Sequence, residues 1–414
     1  MDSLSINHSS MQLPIPFNRP HIPGNTTERV QRVLSGPSFS GGGPECSEAE
    51  RRLRELTGAT YAALTPTGTA ALEMACILLD IGPGDEVIIP SFTFTSTANV
   101  VATRGATPVF VDVQPDTLNI LVSEVAAAIT PRTKAVIIVH YAGNPSDIDA
   151  INKICLSHGI VLIEDAAHAI HASYKSKHIG STSPICCFSF HETKNIQCGE
   201  GGALLLRDGA LIERACVVRD KGTNRAEFER GTTERYRWVG TGGGFKIPEV
   251  SAAILNTQLQ CIDEITADRI RTWNKYFDAL EPAENAGYLS RPLTTFDGTH
   301  NAHIFYVILQ KPELRAPLLR ILAEEQIEAT SHYTALHESP AGIRYGRTVN
   351  GTNSLPNATH ADRSIVRLPL WFGMTWEPGF VADRVTAALA KLTSSDTTSV
   401  STADWQTTSQ NIIA

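Results

Sequence analysis

The chain has 414 residues, of which 42% are apolar and 19% charged, so it can form two packed globular domains and is not largely disordered. Its 35 Lys and Arg residues stand against 43 Asp and Glu residues, which gives a net charge of −8 without long runs of one sign. This balance argues against nucleic acid or an anionic membrane surface as the main partner and favours small-molecule ligands.

The N-terminal segment and the cysteines indicate the compartment. The opening MDSLSINHSSMQLPIPF has neither a basic start nor a sustained apolar run, and nothing in the chain approaches the roughly 18 apolar residues that span a bilayer. The eight cysteines form no CxxC pair and mostly lie in apolar segments. We therefore expect reduced core thiols without disulfides or bound metal, in a cytoplasmic protein.

The first half of the chain predicts an α/β domain. Residues 1–57 contain two helical patterns, TTERVQRVLSG and PECSEAERRLRELTG, on either side of the glycine-rich SGPSFSGGGP. Between about 58 and 206, short apolar runs such as EVIIP, KAVIIVH and GIVLIED alternate with helix-length segments. Strands that are apolar throughout and joined by helical crossovers indicate a parallel sheet covered on both faces.

The second half predicts a smaller domain. A helix is expected over 207–220, followed by a polar, basic and glycine-rich irregular excursion over 221–247. A long helical pattern then runs from Pro248 to about 282, and the remainder mixes strand and helix as an α+β domain would. We predict a flexible N-terminus (1–13), a large domain (14–265), a small C-terminal domain (266–393) and a disordered Ser/Thr-rich tail (394–414).

Three features of the large domain point to cofactor chemistry. Asp165 ends the run GIVLIED, so it should stand at the carboxyl edge of the sheet, unless it only caps a helix. Thr67, Gly68 and Thr69 join a strand to an apolar helix and offer free N–H groups to a phosphate, or simply cap that helix. Lys194, in SFHETKN, follows the β-like PICCFSF; a partly desolvated lysine can condense with a carbonyl, whereas an exposed loop lysine would not.

A phosphate cradle, an acid at a strand end and a lysine on the following turn are the parts that pyridoxal phosphate requires. The lysine forms the Schiff base, the carboxylate keeps the pyridine nitrogen protonated and the helix terminus anchors the phosphate. A G-x-G-x-x-G motif is missing at the first strand-to-helix turn, which argues against a dinucleotide oxidoreductase. We predict pyridoxal 5′-phosphate as the cofactor.

The motifs IEDAAHA, SFHETKN, GEGGALLL and GPGDEVIIPSFTFTSTANVV make the chain resemble the fold-type-I nucleotide-sugar aminotransferases of the DegT/StrS family, over about residues 14–392. The resemblance implies a mostly parallel sheet covered by helices, a smaller C-terminal domain and a homodimer with active sites at its interface. It further implies transfer of an amino group from an amino acid, L-glutamate by family analogy, to the C4 ketone of a nucleotide-linked 4-keto-6-deoxyhexose.

The resemblance also assigns roles to individual residues. Lys194 would bond the cofactor and move protons, and Asp165 would pair with the pyridine nitrogen. The other cofactor contacts would be Phe94 stacking on the ring, His168 near the 3′ oxygen, and Ser189 holding the phosphate with Gly68 and Thr69. Taken singly, Phe94 could be a core aromatic, His168 a satisfied helix histidine and Ser189 a strand residue with a solvated hydroxyl.

Substrate contacts are expected in two further segments. Lys221 and Arg225, with Arg230 and Arg237, could hold the substrate's diphosphate or form a solvated loop. His332 and His337 of HYTALHESPAG would line the pocket by resemblance. Many family members supply an Asn from the neighbouring subunit to the phosphate where this chain has Lys246, so Lys246 either replaces that contact or the contact is lost.

Other functions stay open at this point. Pyridoxal-dependent sugar dehydration is one, although dehydratases of the family replace the lysine with histidine and this chain keeps Lys194. A catalytically silent binding or regulatory relative is another. The keto substrate is also open: a 4-keto or 3-keto sugar, TDP or UDP, or a non-sugar ketone of a specialised pathway.

Overall fold

The computed structural model describes residues 14–294, 298–351 and 354–395. The strands are β1 Tyr61–Thr65, β2 Glu86–Pro90, β3 Thr107–Val111, β4 Thr133–Val139, β5 Val161–Asp165, β6 Ser173–Tyr174, β7 Lys177–His178, β8 Ile185–Ser189, β9 Gly202–Leu206, β10 Leu289–Ser290, β11 Gly298–Thr299, β12 Phe305–Leu309, β13 Arg347–Thr348 and β14 Ile365–Leu368. The α-helices are α1 Thr26–Leu34, α2 Pro44–Thr57, α3 Gly68–Leu78, α4 Thr95–Thr103, α5 Val122–Ala128, α6 Ile148–His158, α7 Ile212–Arg219, α8 Arg225–Glu229, α9 Glu249–Gln260, α10 Ile262–Ala279, α11 Glu281–Asn285, α12 Arg315–Glu324, α13 Pro340–Tyr345, α14 Pro356–Ser364 and α15 Pro378–Ser395. In these ranges, no helix is both long and apolar enough to cross a membrane.

The central sheet has eight strands in the order β1-β9-β8-β5-β4-β2-β3-β13. Neighbouring strands from β8 to β13 are parallel, whereas β9 runs antiparallel to both β1 and β8. Alternate residues of one strand enter different cores: Val136 and Ile138 lie in one cluster, and Ala135 and Ile137 lie in another. Since successive side chains of a strand point to opposite faces, both faces of the sheet are covered, and the predicted fold class is confirmed.

A third core surrounds the small sheet β10-β12-β14. Helix α10 connects it to the large domain, because Ile262 and Ile265 at its start belong to a core of the central sheet, whereas Trp273 and Tyr276 belong to the small-sheet core. The change of core therefore occurs inside a continuous helix. The predicted domain boundary at 265/266 stays a prediction, since this helix offers no break there.

The long helix expected after Pro248 is in fact interrupted. Pro248 precedes α9 as its N-cap, and Cys261, with φ −104° and ψ 13°, separates α9 from α10. Hydrophobic periodicity continues across this break, so the sequence pattern does not reveal it. The helix α15 extends through Ser395, two residues into the predicted tail; the rest of that tail and the predicted flexible N-terminus lie outside the described residues.

All eight cysteines are free, and six of them are buried. Cys198, the cysteine nearest to Lys194 in the sequence, has its thiol against the carbonyl oxygen of Glu200 at 3.3 Å. Burial raises the pKa of this thiol to about 12. A thiol that stays protonated is a poor nucleophile, so Cys198 is a packing residue.

Candidate active site

The carboxyl ends of neighbouring strands bring the predicted residues to one edge of the central sheet. Asp165 ends β5, and Ser189 ends the adjacent parallel strand β8. Across the antiparallel neighbours, Ser189 is paired with Gly202, and Gly202 with Thr65 at the end of β1. Helix α3 begins three residues after Thr65, so its N-terminus stands at the same edge.

Two glycines allow the start of α3 to approach the sheet closely. A Cβ atom at Gly202 would lie 2.4 Å from the carbonyl oxygen of Thr67, and one at Gly68 would lie 2.8 Å from Cβ of Ser189. Thr67 caps the helix by accepting from the amide of Ala70, and the Thr69 hydroxyl forms a 2.7 Å hydrogen bond with that of Ser96. Free amides, hydroxyl groups and the positive end of the helix dipole thus meet in one cradle that suits a phosphate.

Asp165 is buried and held by two hydrogen bonds. Its Oδ2 accepts from the Thr97 hydroxyl at 2.8 Å, and its Oδ1 accepts from the amide of Ala167 at 3.2 Å. The residues after Asp165 form turns, so it does not cap a helix. Burial raises its pKa, against the opposing effect of the Thr97 hydrogen bond. A buried carboxylate fixed in this way suits a cationic ring nitrogen as its partner.

Lys194 lies on a tight turn after β8, where its amide donates to the carbonyl of His191 at 2.9 Å. Its side chain is partly buried, and burial lowers its pKa to about 8 against the opposing effect of the Asp165 charge. The nearby guanidinium of Arg367 lowers that pKa further. A large fraction of the amine is therefore neutral near pH 8, as nucleophilic attack on a carbonyl requires.

His168 is not a satisfied helix histidine, and Phe94 is not a core aromatic. His168 lies in a turn, not in a helix; it is buried, and its Nε2 shares a 2.9 Å hydrogen bond with the Tyr333 hydroxyl. Burial lowers the pKa of His168 well below its usual value, and its Nδ1 has no hydrogen-bond partner in the part of the chain that the structure describes. Phe94, which precedes α4, is 43% exposed, with its ring centroid 5.9 Å from that of Tyr333. An exposed aromatic beside an unpartnered ring nitrogen is what a flat ligand with a polar oxygen would use.

The two histidines of HYTALHESPAG lie in different surroundings. His332 reaches the site, where its Nδ1 shares a 2.6 Å hydrogen bond with the hydroxyl of the buried Tyr141. His337 is also buried, but its Nδ1 pairs with the Ser91 hydroxyl at 2.7 Å, just beyond β2. His337 therefore fixes its loop to the sheet edge, and a direct role in substrate binding stays a prediction.

The cations of the excursion are arranged around one acid. Asp220 is buried, and it accepts from Lys246 at 2.7 Å and from Lys221 at 3.2 Å, with Arg225 at 3.7 Å. Burial opposes its ionisation, but the hydrogen bonds from the two lysines keep its pKa below the ordinary value. Lys246 thus has a partner within its own chain. Arg230 pairs instead with Glu213, and Arg237 is exposed.

Several residues of the site have roles that the sequence motifs did not predict. They are Thr97, which orients Asp165; Tyr141 and Tyr333, which hold the two site histidines; and Arg367, whose charge acts on Lys194. Thr97 and Tyr333 stand inside the quoted segments GPGDEVIIPSFTFTSTANVV and HYTALHESPAG, and Tyr141 directly follows the apolar run KAVIIVH, so a hydroxyl-bearing side chain in or next to these segments is the signal that could have found them. For Arg367 the signal was a single cation inside the apolar run IVRLPL.

Taken together, these residues fit pyridoxal phosphate. The cradle at Gly68, Thr69 and Ser189 suits the phosphate, and the buried Asp165 suits a protonated ring nitrogen. If the Tyr333 hydroxyl donates to Nε2 of His168, the unpartnered Nδ1 carries a proton for an oxygen of the ring. A lysine with lowered pKa stands beside them.

The family model described as the DegT/DnrJ/EryC1/StrS aminotransferase family matches residues 20–389. The chain belongs to this family. It is therefore an aminotransferase, and its mostly parallel sheet agrees with the fold of solved members.

Solved structures of similar proteins cover nearly the whole chain. The aminotransferase TlmJ from Streptoalloteichus hindustanus is 30% identical, with a TM-score of 0.83 over 92% of this chain and 100% of that one. 3-Amino-5-hydroxybenzoic acid synthase is 29% identical, with a TM-score of 0.81 over 90% and 99% of the two chains. A Streptococcus pneumoniae protein assigned as a sugar aminotransferase, solved in its PLP form, is 25% identical, with a TM-score of 0.83 over 92% and 100%.

Proposed function

We propose that this aminotransferase moves an amino group from L-glutamate to the C4 ketone of dTDP-4-keto-6-deoxyglucose, giving dTDP-4-amino-4,6-dideoxygalactose. The observation that carries the aminotransferase chemistry is Lys194 with its lowered pKa at the sheet edge that also holds Asp165 and the phosphate cradle. The nucleotide sugar is supported by the motifs SFHETKN, KGTNR and HYTALHESPAG, which resemble enzymes of this specificity. The sugar-aminotransferase neighbour adds support for the substrate class.

The cofactor is pyridoxal 5′-phosphate, in agreement with the family and with neighbours in PLP and PMP forms. When bound, it supplies an electron sink that makes the α-proton of an amino acid acidic. The amine of Lys194 takes up and returns this proton. Asp165 would supply the negative charge for the ring nitrogen, and the hydroxyl of Thr97 keeps its carboxylate in one orientation.

The active unit is proposed to be a homodimer. The excursion exposes large apolar side chains, with Trp238 80% exposed, Tyr236 52% and Phe228 47%. Aromatic side chains exposed together mark an interaction surface, and a second copy of this chain is the partner that the family resemblance implies. Sedimentation at micromolar concentration tests this: Trp238→Ser should shift the protein toward a monomer, and an unchanged dimer would exclude this surface as the interface. The cytoplasmic location expected from the sequence stays a prediction.

Visible spectroscopy of the purified protein tests the reaction. Excess L-glutamate without a keto acceptor should remove the long-wavelength band of the lysine-bound cofactor, and dTDP-4-keto-6-deoxyglucose should restore it. A band that falls with glutamate and never returns would keep the aminotransferase and discard this sugar. Absence of any such band after reconstitution with pyridoxal phosphate would contradict the cofactor assignment.

A second candidate is transamination of a non-sugar ketone in a specialised pathway. Likeness to 3-amino-5-hydroxybenzoic acid synthase favours it, at an identity nearly equal to that of the first neighbour. The same assay separates the sugar from the non-sugar substrate. After treatment with glutamate, the protein would then recover its long-wavelength band with a cyclic ketone and not with the nucleotide sugar.

A further inference from the structure

His303 lies directly beside the turn that carries Lys194. It stands two residues before β12 and is buried, and its Nδ1 shares a 3.0 Å hydrogen bond with Oδ1 of Asn195, the residue after Lys194. The nitrogen of the Asn195 amide donates to the carbonyl oxygen of Asn301 at 2.8 Å. A carbonyl can only accept, so Oδ1 of Asn195 must face His303, and Nδ1 of His303 carries a proton. Burial lowers the pKa of His303 well below its usual value, so the ring is neutral and this proton is its only one.

The same segment reaches the turn that carries His168. The ring centroids of His303 and His168 are 4.2 Å apart, with an interplanar angle of 31°. The amide nitrogen of Asn301 donates to the carbonyl oxygens of His168 at 2.8 Å and Ile170 at 2.7 Å. Residues 301–303 therefore contact both turns that bring chemistry to the candidate site.

The segment 301–303 is held in an unfavourable conformation. Ala302 is fully buried and has a φ of 51°, in the left-handed region that residues other than glycine avoid. The guanidinium of Arg269 donates to the carbonyl oxygens of Ala302 at 3.1 Å and His303 at 2.6 Å, and burial lowers the pKa of Arg269 to about 10. Backbone strain and a buried cation both oppose folding, so they persist only where the surroundings determine one position closely, as they do beside active sites.

We propose that His303 is a positioning residue for Lys194: it fixes the Asn195 amide and thereby determines where the amine stands relative to the cofactor. This inference rests on the proposed transamination and its cofactor, and it does not depend on the sugar. The backbone of Lys194 is held on one side by its hydrogen bond to His191, and the side chain of Asn195 holds the other. Proton transfer depends on placement to within about 1 Å, so loosening this contact should slow the reaction although every reacting group is kept.

Substitutions at position 303 distinguish positioning from packing. Asn can present its amide nitrogen where Nδ1 of the imidazole lies, whereas Leu has no donor. His303→Leu should lower the rate constant of the glutamate half-reaction about 10- to 100-fold and change the dissociation constant for L-glutamate less than about threefold, and His303→Asn should recover most of the rate. The circular dichroism of the visible band, per bound cofactor, should change with Leu and return with Asn, because it reports the orientation of the ring. A Leu variant with wild-type rate and dichroism, or Leu and Asn variants that are equally impaired, would overturn the proposal.

A double variant tests whether His303 acts through Asn195. Asn195→Ala alone should resemble His303→Leu, and the two together should be no slower than the slower single variant, because both remove the same contact. Losses that multiply would show that His303 acts elsewhere. If His303→Leu does not fold, His303→Gln replaces it, since Gln places its nitrogen one bond further out; a Gln variant as fast as the Asn variant would contradict the role of Nδ1.

Two controls complete the test. His158 of α6 is exposed, so His158→Leu should leave the rate and the dichroism unchanged. Absence of a visible band from the wild-type protein would overturn the cofactor assignment and this proposal together. Failure of the sugar to restore the band would discard the sugar alone and leave the comparison at position 303 as it stands.

Discussion

The protein carries two groups of positive charge that differ in how they are compensated. In the active site, Lys194 and Arg367 are partly buried, and neither forms an ion pair with another described residue; burial lowers the pKa of both. In the excursion, Lys221 and Arg225 are exposed and share Asp220. Exposed paired charges change the free energy of folding little, whereas buried unpaired charges make folding less favourable. The second kind of charge therefore marks where the chemistry takes place.

The strongest test of this contrast removes the amine. Lys194→Ala should lower turnover at least about 10⁴-fold, because nucleophile and proton carrier are lost together. Steady-state transamination with L-glutamate measures the loss. The matched control is Lys153→Ala, which removes an exposed lysine of α6 and should keep wild-type activity. Normal transamination by the Lys194 variant would contradict the lysine assignment.

Asp165→Asn should come next in size. The amide keeps the hydrogen bond from Thr97 but cannot balance a cationic ring nitrogen, so we expect cofactor binding to persist while turnover falls about 10²- to 10³-fold. The ratio of bound cofactor to protein and the rate of the glutamate half-reaction separate these effects. A variant with wild-type rate would exclude Asp165 as the ring partner. Asp149→Asn, at an exposed ion pair with Lys175, is the control.

The cradle depends on the missing side chain at Gly68. Gly68→Val would place Cβ 2.8 Å from Cβ of Ser189 and fill the space assigned to the phosphate. We expect the dissociation constant for pyridoxal phosphate, measured by titration of the apoprotein, to rise at least about tenfold. Gly82→Ala, where no atom of residues 14–294, 298–351 or 354–395 lies within 4 Å of the added Cβ, should bind as wild type does. Equal affinity in both variants would place the phosphate elsewhere.

Burial of Lys194 also predicts a pH-dependent stability. Its folded pKa of about 8 lies below the ordinary 10.5, so protonation opposes folding. The unfolding free energy attributable to this group is therefore highest above pH 10.5, falls as the pH drops toward 8, and is lowest below 8. Lys194→Met should stabilise the apoprotein by about 1–2 kcal/mol at pH 7, allowing for solvent screening, and by less at pH 10.5. Urea unfolding measures both, and a gain independent of pH would mean that packing is the cause.

The smallest effect is expected in the excursion. Lys221→Ala removes one exposed partner of Asp220 while Lys246 remains, so the free energy of unfolding should change by no more than about 0.5 kcal/mol. Urea unfolding at pH 7 measures it. A loss of several kcal/mol would show that the excursion depends on its charges as the active site does, and the contrast between the two groups would fail.

Sequence patterns predicted the parts of this molecule that depend on local order. Apolar runs with helical crossovers predicted the two-faced sheet, and Asp165, Ser189 and Lys194 could be placed at one edge because strand ends determine where side chains emerge. An apolar run does not indicate the direction of its strand relative to its neighbours. The antiparallel pairing of β9 with β1 and β8 was therefore not predicted. Arg367 comes from a strand of another sheet, about 170 residues beyond Lys194, and only tertiary packing brings the two together.

Helix α10 is a continuous connection between a core of the central sheet and the core of the small sheet. Its first turns pack under the sheet that holds Lys194, its last turns pack in the core beneath the strand that holds Arg367, and the irregular residue Cys261 precedes it. A helix transmits rotation along its length with little bending, so a change of angle at Cys261 would alter the separation of the two cations.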